Sequence, residues 1–182
     1  KKKINSLTIV IRSYTFGDIN DDKVMLDQNK MRIFELPKIE YTLRTIKSVI
    51  YSCETSLKYF ESLDINLIVT DDKSNTQNIQ KINDLLNSTK IKTEIISLKD
   101  DEFHNEIKKK DINGDQISKN MLSNMKNILK SIEISEKYNS DLFYFLEDDY
   151  IHTKNAITEM LFTYEKLSSQ LNSELFLCPA DY

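Results

Sequence analysis

"DLFYFLEDDYIHT", Asp141 to Thr153, runs from five apolar residues, Leu142 to Leu146, straight into three acids, Glu147, Asp148 and Asp149. An apolar run this short and this aromatic reads as a buried strand. Its acidic end has two explanations. Carboxylates ahead of a helix are stabilised by the N-terminal dipole and free N–H groups, by roughly 0.3–1 kcal/mol each. Three adjacent carboxylates behind a buried strand also repel one another, and a divalent cation that prefers oxygen ligands relieves the repulsion. The stretch alone leaves both open.

Working outward, the same short β-branched or aromatic character recurs in "LTIVIRSY" (7–14), "INLIVT" (65–70) and "IKTEIISL" (91–98), with "ELFLC" (174–178) as an expected fifth strand. Apolar residues at helical spacing lie between them. They are Leu43, Ile46, Val49 and Ile50, then Ile79, Ile82, Leu85 and Leu86. Met121, Leu122, Met125, Ile128, Leu129 and Ile132 follow, and then Ile157, Met160, Leu161 and Tyr164. Alternating strands and helices predict an α/β fold, a three-layer α/β/α sandwich around a mostly parallel sheet. Strands that are apolar throughout suit a sheet covered on both faces. No repeat or boundary divides the 182 residues, so one domain, 1–182, is expected. Residues 16–36 read as a long loop or insertion, and 99–117 as a charged loop closing on the Asn113-Gly114 turn.

Composition narrows the function. A net charge of −4, with only short lysine clusters at Lys1–Lys3 and Lys108–Lys110, argues against nucleic acid as the main partner. Cys53 and Cys178 are far apart and outside any CxxC, so both read as buried small apolar residues in a reducing compartment. No apolar run approaches the ~20 residues that cross a bilayer. The lysine-rich start lacks the apolar stretch of a signal peptide. A cytoplasmic location, extending to the inner face of the membrane, is the expectation. Gly17 and Gly114 are too far apart for a P-loop or a GxGxxG turn. There is no GxSxG nucleophile turn. His152, three residues beyond Asp149, could be a further ligand but reads rather as a surface histidine near a helix start, and His104 sits in a charged loop with no partner evident in the sequence.

Ligands of open α/β sheets sit outside the carboxyl ends of the strands. The residues expected there are Arg12, Ser13, Tyr14 and Thr15; Asp71, Asp72, Lys73 and Ser74; Lys99, Asp100 and Asp101; and Glu147, Asp148 and Asp149. Asp72 or Ser74 could equally cap a helix starting near Asn75. Tyr14 suits either a core or a stacking platform for a planar ring.

Read in order, "LTIVIRSY", "INLIVTDDKSNTQNIQKI" and "FYFLEDDYIHTKNAITEML" resemble the nucleotide-sugar-binding half of GT-A glycosyltransferases, especially family-2-like members. They look like that family's first strand, its D-D-x-S turn and its DxD strand with the following helix. "ISKN" is similar to a stretch that often reads A-R-N there. The resemblance implies a GT-A fold and a donor nucleotide-diphosphate sugar, a UDP-sugar above all. It implies Mn²⁺ or Mg²⁺ as cofactor and a glycan, lipid or protein acceptor in glycan biosynthesis. It places Arg12, Ser13, Tyr14, Asp72, Lys119, Asn120, Glu147 and Asp148 around the nucleotide sugar and Asp149 on the metal. Tyr14 would lie against the base, and Asp72 would accept from a base N–H. Arg12 stands where the family usually has a small residue, and Glu147 where DxD has its first Asp. The acceptor half and general base follow the DxD region in such enzymes. The chain has no initiating Met and stops at Tyr182 behind an expected strand, so the protein is expected to continue, and no catalytic base is assigned. The alternatives are a nucleotide-binding or structural α/β domain without activity and, lower, a DxD phosphatase, whose nucleophilic Asp would have to stand where Glu147 does.

Overall fold

A computed structural model describes residues 3–15, 36–110 and 113–179. The expected insertion therefore falls, except for Leu36, outside the described residues. The elements run β1 (Ser6–Ser13), α1 (Lys38–Ser56), β2 (Asp64–Asp71), α2 (Thr76–Leu86), β3 (Lys92–Ser97), α3 (Lys119–Lys137), β4 (Leu142–Glu147) and α4 (Ala156–Leu171). The four strands form one sheet in the order β3-β2-β1-β4, with every pairing parallel. The expected α/β architecture is thus observed. The chain steps outward from β1 to β2 to β3, then crosses back to place β4 on the other side of β1. That reversal makes the carboxyl ends of β1 and β4 the switch point, where such sheets bind ligands.

α1, α2 and α4 cover one face. Ile46, Val49 and Cys53 of α1, Ile82 and Leu86 of α2, and Ile157, Leu161 and Tyr164 of α4 meet Ile9, Ile11, Leu67, Val69 and Leu146 of the sheet. Side-chain period 2 sends the alternate strand residues to the other face, where α3 lies alone. There the buried apolar cluster among the described residues is Val10, Ile68 and Ile134. Of the apolar residues that mark α3 in the sequence, Leu122 and Leu129 are half-buried and the other four are exposed. Met121, Met125, Ile128 and Ile132 are 39–49% exposed, whereas Ser123, Lys126, Asn127 and Ser131 face inward. Lys126 accounts for the orientation: its ammonium donates to the carbonyls of Lys99 (2.8 Å) and Asp100 (3.4 Å) and approaches Asp72 Oδ1 at 3.5 Å.

Two expectations are corrected. Residues 174–179 form no strand; they follow the left-handed C-cap Asn172 of α4, with no ladder partner among the described strands. Cys178 is exposed, not buried, while Cys53 is buried as expected. Helices lie on both faces of the sheet, as expected, although Phe145 of the edge strand β4 is 45% exposed. The 99–117 loop closes as its turn signal implied. Gly114 takes φ +89, and Lys110 bridges Gln116 in antiparallel fashion.

Candidate functional site at the carboxyl ends of β1, β2 and β4

The register aligns Arg12 with Glu147 across β1 and β4, and Ser13 with Asp71 across β1 and β2. The acids that follow these strands come to one edge of the sheet, yet they are in different states. Glu147 lies on the α3 side, where its Oε1 accepts from Arg12 Nη2 at 2.7 Å. Arg12 also donates from Nη1 to Asn124 Oδ1 at 3.3 Å, linking β4, β1 and α3. Asp148 turns to the other face and is only 5% exposed. Its Oδ2 accepts from Thr42 Oγ1 at 2.7 Å, and its Oδ1 pairs with Lys38 Nζ at 2.8 Å. Asp149 is exposed and has no hydrogen bond or ion pair among the described residues.

Asp72 is buried at 1% exposure beneath α3. Lys126 balances its charge, but Oδ2 has no partner among the described residues. The side-chain oxygens of Ser123 and Asn127 are likewise buried and unmet among them. Orphaned polar atoms inside a protein are uncommon and call for an explanation. Asp72 caps no helix: Asn75 is the cap of α2, accepting from Asn78 N at 2.8 Å.

Asp71, expected at the strand end but outside the set that the resemblance places around the nucleotide sugar, organises the turn instead. Its carboxylate accepts from Ser74 N (3.0 Å) and Ser74 Oγ (2.5 Å). Ser74 Oγ in turn accepts from Thr15 N and Thr15 Oγ1, tying the end of β1 to the end of β2. Lys73, at φ 71, makes this tight turn possible. Burial pushes the Asp71 carboxyl above its ordinary range, although the Ser74 hydrogen bonds pull the other way.

Tyr14 is half-buried just beyond β1. Lys119 and Asn120 open α3, one turn ahead of the Asn124 that meets Arg12. His152 is not a plain surface residue. Its Nε2 lies 2.9 Å from Tyr144 Oη, its backbone N–H donates to Ser48 Oγ at 3.0 Å, and burial holds its imidazole below the usual range. Burial, reinforced by the charge of Glu54, pushes the Cys53 thiol up to about 12, so it is inert at neutral pH. A cavity of about 200 Å³ opens between the 99–117 loop and α3 with Lys126 on its wall, on the Asp72 side of the sheet rather than beside Asp149.

The structure therefore gathers Arg12, Ser13, Glu147, Asp148 and Asp149 at the switch point and sets Asp72 beneath α3. Lys38, Thr42, Lys126 and Asn127 escaped the sequence reading. Only the last two left a signal there, a polar stripe of Ser123, Lys126, Asn127 and Ser131 running opposite the apolar one. Among the described residues, no three His, Cys, Asp or Glu side chains converge as a metal-holding group. Among those residues, Asp149 is the one carboxylate of the EDD triplet left uncommitted. One carboxylate together with phosphate oxygens and water fits a Mg²⁺-type ion, which seldom uses an all-protein cage. No helix among the described residues is long and apolar enough to cross a membrane. No protein-family model matches the chain, and neither a curated protein nor a solved structure does.

Proposed function

We propose that the chain is the donor domain of a metal-dependent glycosyltransferase of GT-A type, which binds a nucleotide-diphosphate sugar at the switch point. The observation that carries this reading is Asp149. It is an exposed carboxylate without a partner among the described residues, next to two acids already neutralised, at the carboxyl end of β4. Asp149 would hold Mn²⁺ or Mg²⁺ against the diphosphate. When bound, the ion supplies the charge neutralisation a leaving nucleoside diphosphate needs. Arg12 keeps the Glu147 charge from adding to the repulsion at that edge. Tyr14 would face the base, whereas Asp72, 1% exposed beneath α3, is not open to a ring N–H. The acceptor would be a glycan, lipid or protein.

A non-catalytic α/β domain is the second reading. The observation that favours it is the internal pairing of Glu147 and Asp148, which leaves a single acid available. Binding of UDP and GDP with Mn²⁺ and with EDTA separates the two. The transferase reading expects metal-dependent binding of a nucleotide; binding that is equal in EDTA, or absent for every nucleotide tested, contradicts it.

A further inference from the structure

A row of polar side chains on α1 runs alongside the segment that follows β4. Thr42 Oγ1 donates to Asp148, Ser48 Oγ accepts from His152 N–H, and Ser52 Oγ accepts from Ile157 N–H at 3.0 Å. Lys38, one turn before Thr42, completes the grip on Asp148. Each residue sits four or six positions after the last, on the side of the helix that meets this segment. Ser52 also supplies a partner that the first turn of α4 needs, because Asn155 makes no side-chain cap. Asp149 itself is touched by none of them. It lies between a residue clamped on one side, Asp148, and one clamped on the other, His152.

From this arrangement we infer that α1 positions the candidate metal ligand. Lys38, Thr42 and Ser48 fix the backbone on both sides of Asp149, so that Asp148 serves as an anchor and not as a ligand. This rests on the donor-site reading of Asp149. A carboxylate that must meet a small octahedral ion tolerates little wandering, and loss of the groups that orient metal ligands typically weakens metal binding 10–100-fold. The acid nearest to being a second ligand is thus spent on geometry: at 5% exposure, with both oxygens engaged, Asp148 has no free face to offer.

The experiment compares Thr42→Val, Thr42→Ser and Ser48→Ala with the unsubstituted protein. Affinity for UDP in Mn²⁺ is measured, together with hydrogen exchange of the 147–153 backbone. Thr42→Val is nearly isosteric and removes the donor to Asp148 together with a longer 3.4 Å contact to the Lys38 carbonyl within α1. It should weaken Mn²⁺-dependent UDP binding by roughly 10-fold and speed exchange in 147–153 while the four strands keep their protection. Ser48→Ala should do the same to a lesser degree. Thr42→Ser, which keeps the hydroxyl, should restore affinity. An unchanged affinity in Thr42→Val overturns the inference even if its melting temperature falls, because a merely structural hydroxyl would lower stability alone. Should the unsubstituted protein bind no UDP in Mn²⁺, the donor-site reading fails and the inference fails with it. The two failures are distinguished by the protein in which they occur.

Discussion

The two faces of the sheet are built of different material. Among the described residues, twenty buried residues form one apolar cluster under α1, α2 and α4; the cluster under α3 has three, and a lysine, an aspartate and an asparagine are buried beside it. The first face is a core that any well-sized apolar set could fill. The second is a specified polar arrangement in which Lys126, Asp72 and the carbonyls of residues 99 and 100 require one another. A chain that needed only stability would have turned Met121, Met125, Ile128 and Ile132 inward. Burial of Lys126 and Asp72 in their place marks the α3 side as the face that gives up apolar burial for polar function.

The largest effect should come from breaking the polar face. Lys126→Met leaves Asp72 buried without a counter-charge, and removal of one partner of such a pair costs about 3–5 kcal/mol. In urea unfolding, the further substitution Asp72→Leu should recover most of that loss. A single variant as stable as the parent would contradict the pairing.

Leu67 and Ile68 give a direct test of the contrast between faces, since neighbouring residues of β2 point to opposite sides and are 0% and 1% exposed. Leu67→Ala should fall near the top of the ~2–5 kcal/mol range for emptied core sites, and Ile68→Ala nearer the bottom. Equal losses would mean that the α3 face packs as tightly as the other.

Acid should produce a smaller effect, on the α1 side. The His152 imidazole titrates lower in the folded chain than its ordinary 6.5 because it is buried. The unfolded chain then binds more protons between the depressed folded value and 6.5, so stability is complete above that window and declines as pH falls through it. The melting temperature should drop on acidification across this range, and the drop should shrink in His152→Gln. A melting temperature that rises over the same range would reverse the sign.

Much of this fold was legible in the chain because the signals are local. The segments 7–14, 65–70 and 142–146 match Ser6–Ser13, Asp64–Asp71 and Leu142–Glu147 to within about one residue at each end. Apolar runs and helical spacing report on neighbours in sequence, and those neighbours are what elements are made of. The partners of the acids are not neighbours. Thr42 and Asp148 are 106 positions apart, and Lys126 and Asp72 are 54 apart. For that reason "EDD" could be read as a cluster, whereas its division into an α3-side ion pair, an α1-side anchor and a free carboxylate could not. The failed strand at 174–178 has a related cause: composition marks a segment as able to form a strand, but a ladder partner makes it one.

The smallest structural effect belongs to the residue given the largest functional role. Asp149→Ala removes no contact among the described residues, so its unfolding midpoint should match the parent's. Titration of UDP and other nucleotides in Mn²⁺ and in EDTA, into the parent and into folded Asp149→Ala, is therefore the most direct test. Metal-dependent binding by the parent that disappears in Asp149→Ala is the predicted result. Undiminished binding by Asp149→Ala, or binding by the parent that is indifferent to EDTA, would contradict the account.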